Sequence, residues 1–417
     1  MHKSQIILKA DQSRVILLPL ILPGYDRVER IFNRIKSLSD SKVEEMLLLV
    51  RKKFAYRHKK FDTILKQHYN IYASQTKVGA QFNESRQLLT GAMFSKEYSI
   101  QSAALFNPSI VAHPDQSGLE KGETRFVMSL RATGEGHVSS IVFRSGILCP
   151  DGSIKLSPLT HYNVLGEFTA VGNSSTDYDL VFDQDSLLEE RVIFPSTIIE
   201  SMGMEDVRLV KFKDEKGTRF YGTYTAYDGI NIQSRLLETK DFCSFKIRSL
   251  TGTSAIDKGM GLFPEKINGK YAIISRQGGD SISIMFSDDL YRWDKHQLLM
   301  EPMYPFELLQ IGNCGSPIKT DKGWLLLTHG VGPVREYFIS AVLLDLKDPA
   351  KIISRLDHPI IAASRYEREG YVPNVVYSSG GMISGDKLFI PYAMSDSRYR
   401  FAWVETDLLL NELLKSH

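Results

Sequence analysis

The sequence predicts an all-β fold of the propeller type behind a mostly helical N-terminal region. Three observations carry this expectation. Residues 26–100 hold apolar residues at helical spacing. After residue 100, short alternating runs are bounded by Gly, Asp and Asn. One motif then recurs at about the length of a four-stranded blade.

Residues 1–25 read as a strand-like arm ending at Pro23-Gly24. SDSKVEEMLLLVRKKF follows, with Ser41 three residues before Glu44, a capping-box spacing. Val43, Met46, Leu47, Val50 and Phe54 form an apolar stripe of helical period behind it. FDTILKQHYNIYASQ and SRQLLTGAMFSKEYS continue the helical pattern. The strand-length pieces come next: TRFVMSLRAT, HVSSIVFRSG, TRFYGTYTAY, KYAIISRQ, SISIMFS, GWLLLTHG and DKLFIPYA. Such pieces fit a sandwich, a barrel or a propeller. TKDFCSF (239–245) and SDDLYRW (287–293) share small residue, Asp, apolar and aromatic at matching offsets. Asp241 and Asp289 lie about 48 residues apart, a period that a sandwich does not predict.

The 417 residues suffice for one large domain with an appendage, or for two or three ordinary domains. Lys and Arg number 51 against 49 Asp and Glu, so no strong field favours nucleic acid or an anionic membrane. The basic stretch VRKKFAYRHKKFDTILK (50–66) reads as an amphipathic helix with a solvated basic face, not a nucleic-acid site. Cys149, Cys243 and Cys314 show neither metal-ligand spacing nor a disulfide framework. VILLPLILP (15–23) is too short to span a bilayer and is interrupted by Pro19 and Pro23. The start of the chain lacks the order of a signal peptide, so a cytoplasmic location is expected.

Several ordered blocks carry the functional reading: FNPS (106–109), GMEDVR (203–208), KGMGLFPEKINGKY (258–271), IGNCGSPI, GWLLLTHG, LLDLKDPAKIISR, YEREGYVPNVVYSSG and PYAMSD. Together they resemble glycoside hydrolase family 130, the β-mannoside phosphorylases and β-1,2-mannosidases. GMEDVR resembles the family's Glu-Asp-Pro-Arg signature, with Val207 where proline is usual. The resemblance implies a five-bladed β-propeller catalytic domain over residues 101–417. Residues 1–100 then form an N-terminal arm and helical extension, through which a homo-oligomer could assemble. Propellers also serve as platforms, so a non-catalytic sugar-binding propeller is the alternative of another class.

By this resemblance Asp206 is the general acid, whose proton is expected to reach the glycosidic oxygen through a sugar hydroxyl rather than directly. Glu205 holds a sugar hydroxyl, and Arg208 orients the acid or touches an anion. Arg131 stands near the sugar, and Asp396 matches a position that holds mannose. Asn107, His329, Glu367 and Asn374 are further substrate-binding candidates within the matched blocks. Each also has a structural reading: Asn107 and Asn374 adjoin prolines that shape turns, and His329 ends an apolar strand. Tyr304, Phe306, Tyr366 and Tyr371 are candidates to stack on sugar faces, or core and rim residues.

Two nucleophiles compete. A phosphorylase needs converging cations for a dianion, and Lys258, Arg276 and Arg208 are the candidates. The family's phosphorylases carry a His-Arg pair where this chain reads Ser275-Arg276, and that departure favours hydrolysis. Hydrolysis with inversion needs a carboxylate base roughly 6.5–9.5 Å from the acid. Glu135, in the glycine-flanked turn of RATGEGHVSS, is the provisional base, with Glu307 and Glu367 as rivals. The expected activity is therefore an inverting glycosidase on β-mannosides, with phosphorolysis to mannose 1-phosphate as the alternative. No metal or cofactor is expected, only inorganic phosphate as co-substrate if the enzyme is a phosphorylase.

Overall fold

The computed structural model describes residues 1–76 and 79–415. Strand is twice as common as helix, 41% against 20%. The chain divides into two compact units. One comprises Met1–Asp11, Gln101–Leu159 and Leu165–His417; the other comprises Gln12–Ile100 and Thr160–Val164. The expected N-terminal region is therefore split, because its first residues belong to a sheet of the larger unit.

In the smaller unit, helix α1 (Tyr25–Lys36) buries Val28, Phe32 and Ile35, one face of a 3.6-residue period. They pack with Tyr69, Tyr72, Phe82 and Phe94. Helix α2 (Asp40–Phe54) begins two residues earlier than a Ser41 cap predicts. Ser39, not Ser41, accepts the Lys42 amide at 3.3 Å. Its Leu47 meets Phe61 and Leu65 of α3 (Phe61–Ala73) and Leu88 of α4 (Glu84–Met93). Asn83 caps α4 by accepting the Arg86 amide at 3.0 Å. Gly91 is required where α4 crosses α3, since a Cβ there would strike the Leu65 carbonyl. Part of the basic stretch is internally paired: Arg51 binds Asp62 at 2.6 Å and Arg57 binds Glu97 at 3.0 Å.

The larger unit is built from antiparallel sheets. One runs Gly261–Leu262, Tyr271–Ser275, Ile282–Ser287, Gln297–Met300 in chain order. The next has Trp324–Val331 and Tyr337–Leu344 at its centre. A third joins Lys387–Met394 to Arg398–Glu405, and His2–Lys9 completes it by pairing with Arg398–Glu405. A twelve-stranded sheet holds Ala104–Ala112, Thr124–Thr133 and Ser139–Leu148, then Gly203–Asp214, Gly217–Tyr227, Ile232–Thr239 and Ser244–Ser249. These two groups are joined by one parallel pair, Gly203 with Ser139.

Sheets are buried on both faces. Ile273 packs with Val210, Phe212 and Trp293, whereas its neighbours Ala272 and Ile274 pack with Trp324 and Leu326. Leu325 and Leu327 turn the other way, toward Leu388 and Ile390. Two-sided burial explains why YAIIS and WLLL read as continuous apolar runs without polar alternation. The recurrent motif is a repeated turn. Asp241 accepts the Cys243 amide at 2.8 Å and Asp289 accepts the Tyr291 amide at 2.9 Å, each between the third and fourth strands of its group. The aromatics that end the two copies, Phe245 and Trp293, are buried.

Candidate active site

Two strands break register at matching places. Ala104–Ala112 is bulged between Phe106 and Ser109, and Gly203–Asp214 between Glu205 and Arg208. In each bulge one residue is left-handed: Asn107 at φ 48° and Asp206 at φ 52°. Asn and Asp tolerate this conformation better than other non-glycine residues. The bulges bring their side chains together, and Asn107 Nδ2 donates to Asp206 Oδ1 at 2.7 Å. Arg131 donates through Nη2 to Glu205 at 2.8 Å, lies 3.5 Å from Asp206 and donates through Nε to Ser139 at 2.8 Å. Its guanidinium lies over the Phe106 ring. Arg208 donates to the Asp206 carbonyl at 3.1 Å and to the Tyr377 hydroxyl at 2.6 Å.

These groups line a cavity of about 410 Å³, within the range of small-molecule sites. Five cations face it: Arg131, Arg208, Lys258, Arg276 and Arg335. Three carboxylates oppose them: Glu205, Asp206 and Asp396. Asn107, Thr225, Gln310, Asn313, His329, Tyr337 and Tyr377 add neutral polar groups. Several buried atoms here have no hydrogen-bond partner: Asn107 Oδ1, Arg208 Nε, Arg276 Nε, Asn313 Oδ1 and His329 Nδ1. Such a concentration is expected where a polar ligand completes the network.

The environment separates the carboxyls. Burial pushes Asp206 up, but Arg131, Arg208, the Asn107 bond and Lys258 outweigh it and hold the group below its ordinary value. Burial and the neighbouring Asp206 raise Asp396 to about 7, with Arg131 and Arg335 opposing. Burial, then the charges of Arg276 and Arg208, hold His329 well below the usual imidazole value, so it is neutral. Gly312 leaves room for that ring, since a Cβ there would collide with it.

Asn107, Arg131, Glu205, Asp206, Arg208, Lys258, Arg276, His329 and Asp396 therefore share one cavity. Three proposed residues do not line it. Glu135 is exposed at a hairpin tip. Glu367 is buried elsewhere, held by Lys3 at 2.8 Å, Tyr392 at 2.6 Å and Arg400 at 3.3 Å; against its burial, the bonds from Lys3, Tyr392 and Ser364 bring its pKa down to about 2. Asn374 serves through its backbone, accepting the Tyr337 amide at 3.0 Å, while its neighbour Val375 reaches the cavity. The rival Glu307 is also structural, accepting from Arg355 at 2.5 Å and from the Met303 amide at 2.9 Å. Thr225, Gln310, Asn313, Arg335, Tyr337 and Tyr377 were not anticipated. Asn313 and Tyr377 lie inside motif blocks, but nothing in their local pattern distinguishes a cavity group from a strand residue.

The model of the family described as beta-1,4-mannooligosaccharide phosphorylase, glycoside hydrolase family 130, matches residues 175–414. The chain belongs to glycoside hydrolase family 130. Among family 130 relatives, it is 36% identical over 215 residues to a 1,2-beta-oligomannan phosphorylase of a Thermoanaerobacter species, covering 50% of this chain and 71% of that protein. It is 30% identical over 237 residues to a beta-1,2-mannobiose phosphorylase of Listeria innocua, covering 55% of this chain and 64% of that protein. The solved Listeria innocua beta-1,2-mannobiose phosphorylase in complex with beta-1,2-mannobiose superposes with a TM-score of 0.54 at 20% identity, over 75% of this chain and 92% of that one. A structure reported with the family 130 glycoside hydrolases that target beta-1,2 mannosidic linkages in Candida mannan gives 0.55 at 19% identity, over 75% and 87%. Family 130 thus accounts for the fold and makes the chain a family 130 enzyme. Among the described residues, no helix is long and apolar enough to cross a membrane.

Proposed function

We propose that the protein is a β-mannoside phosphorylase acting on β-1,2-linked manno-oligosaccharides and producing mannose 1-phosphate. The observation that carries this reading is the excess of cations in the cavity. A dianionic nucleophile suits that lining, and water does not require it. Hydrolysis is the less well supported reading, because Glu135, Glu307 and Glu367 are all placed or engaged elsewhere. Ser275 replaces the histidine of the usual pair in sequence, but neutral His329 lies close enough to Arg276 to feel its charge. The names of the two relatives point the same way.

In the proposed step a phosphate oxygen forms a bond to the anomeric carbon as the glycosidic bond breaks, with inversion. Asp206 gives its proton to the departing oxygen, directly or through a sugar hydroxyl. Lys258, Arg276 and Arg208 hold the phosphate; Glu205, Arg131, Asn107 and Asp396 hold the sugar. We further infer that the larger unit is a five-bladed propeller. Its strand groups supply five inner segments, which bring Asn107, Asp206, Gly259, Asn313 and Tyr377 to the cavity. In the same reading the helices form an N-terminal extension.

The test is incubation with β-1,2-mannobiose with and without phosphate. Mannose 1-phosphate should form only with phosphate; mannose release indifferent to phosphate overturns phosphorolysis. Asp206→Asn should lower kcat by about 10²–10⁴-fold. No turnover of any mannoside by the wild type, or full turnover by the variant, would leave only a sugar-binding protein.

A further inference from the structure

Two hairpins end in the same tip. In the first, Gly134 donates to the Val138 carbonyl at 3.0 Å; in the second, Gly332 donates to the Glu336 carbonyl at 2.9 Å. Both tips contain two successive left-handed residues, Gly136 and His137 (φ 69° and 61°), then Val334 and Arg335 (φ 58° and 56°). The strand registers agree as well: Thr133 pairs with Ser139, and Val331 with Tyr337. Arg131 and His329 are equivalent in this alignment, and both line the cavity. Arg335 lines it too, and its equivalent is His137.

His137 is fixed by a loop that reaches both tips. Its Nδ1 lies 3.2 Å from the Tyr371 hydroxyl, with ring centroids 5.8 Å apart and planes 31° apart. From the same loop, Arg368 binds Glu336 at 2.8 Å and Asn374 accepts the Tyr337 amide. Val372 donates to the carbonyl of Ser395, the residue before Asp396, at 3.1 Å. The His137–Tyr371 pair thus spans from the strand ends carrying Arg131 and Ser139 to the segment carrying Asp396. Lys258 and Arg276 lie elsewhere, in the loop before Gly261–Leu262 and just after Tyr271–Ser275. Tyr371 is 53% exposed and His137 is exposed, so the pair offers water two aromatic rings edged by hydrogen-bonding atoms. An aromatic face of this kind stacks on the C–H face of a pyranose, and the phenol and imidazole reach its hydroxyls.

We propose that His137 and Tyr371 form a binding site for the sugar on the leaving side of the scissile bond, the first residue outside the cavity. This rests on the phosphorylase reading above. A left-handed histidine is a costly backbone choice that glycine would make freely, as expected where aim is kept against stability.

His137→Gly and Tyr371→Ala test the site, and neither residue belongs to the proposed catalytic set. In the synthetic direction, each variant should raise KM for the acceptor mannoside about three- to tenfold while KM for mannose 1-phosphate stays unchanged. His137→Gly should also melt no lower than the wild type. Acceptor KM unchanged, or both KM values raised alike, overturns the proposal. Should the wild type neither make nor consume mannose 1-phosphate, the phosphorylase reading fails by itself. Calorimetric titration with β-1,2-mannotriose then still decides the site: affinity reduced by the variants supports it, and equal affinity, or no binding by the wild type, removes it.

Discussion

Asp206 is an acid that the resting cavity keeps ionised. Arg131, Arg208 and Lys258 all favour its anion, yet the proposed reaction needs its proton. A phosphate dianion beside Arg208 and Lys258 offsets those charges and raises the carboxyl. Above the second pKa of phosphate, where the free ion is already dianionic, phosphate binding should therefore be accompanied by proton uptake, which calorimetry in buffers of different ionisation enthalpy will report; a buffer-independent heat contradicts it. Asp396 gives a second pH signature. Its folded pKa of about 7 exceeds the unfolded value near 4, so the folded state holds a proton that the unfolded chain has released. Stability should fall as pH rises from about 4 to 7 for this group, and Asp396→Asn should remove that slope in pH-dependent melting. Lys258→Ala and Arg276→Ala should raise KM for phosphate more than KM for mannobiose, the split expected of anion ligands.

At the level of elements, two-sided burial makes a direct prediction. Ile273→Ala and Ile274→Ala should each lose about 2–5 kcal/mol in denaturant titration, because the two side chains enter different cores. A sheet with one wet face would spare one of them. Local chemistry also explains what was legible in the sequence. The 241/289 echo was visible because an Asx turn is written in neighbouring residues. The GMEDVR cluster was readable because bulge and carboxylates occupy one short stretch. Ser41 looked like the cap because Glu44 stands at capping-box spacing from it, whereas the backbone gives the role to Ser39. Glu135 and Glu367 misled for a related reason: neither a glycine-flanked turn nor a motif block says which way its carboxylate points. Glu367 points toward Lys3, some 364 positions away, and Glu135 stands on a tip whose neighbour His137 carries the interest. Arg335, Tyr337 and Tyr377 escaped notice because strand pairing and a left-handed tip deliver them to the cavity, and neither leaves a periodic signal.

For the whole molecule, the last sheet depends on the first strand. His2–Lys9 pairs with Arg398–Glu405, His2 stacks on Trp403 at 4.1 Å, and Lys3 binds Glu367. Removing residues 2–9 should strip protection from the Arg398–Glu405 amides in hydrogen exchange and lower the melting temperature; unchanged exchange there would show that the sheet stands without it. The same pairing orders events during synthesis. Residues 2–9 leave the ribosome long before residue 398 exists, so Ile6, Ile7 and Leu8 wait on an unmatched edge while the intervening chain is translated. An idle apolar edge is a template for a second nascent chain. Losses on overexpression should therefore begin as strand exchange between unfinished polypeptides, and slower elongation or an added holdase should recover yield without any change in the cavity.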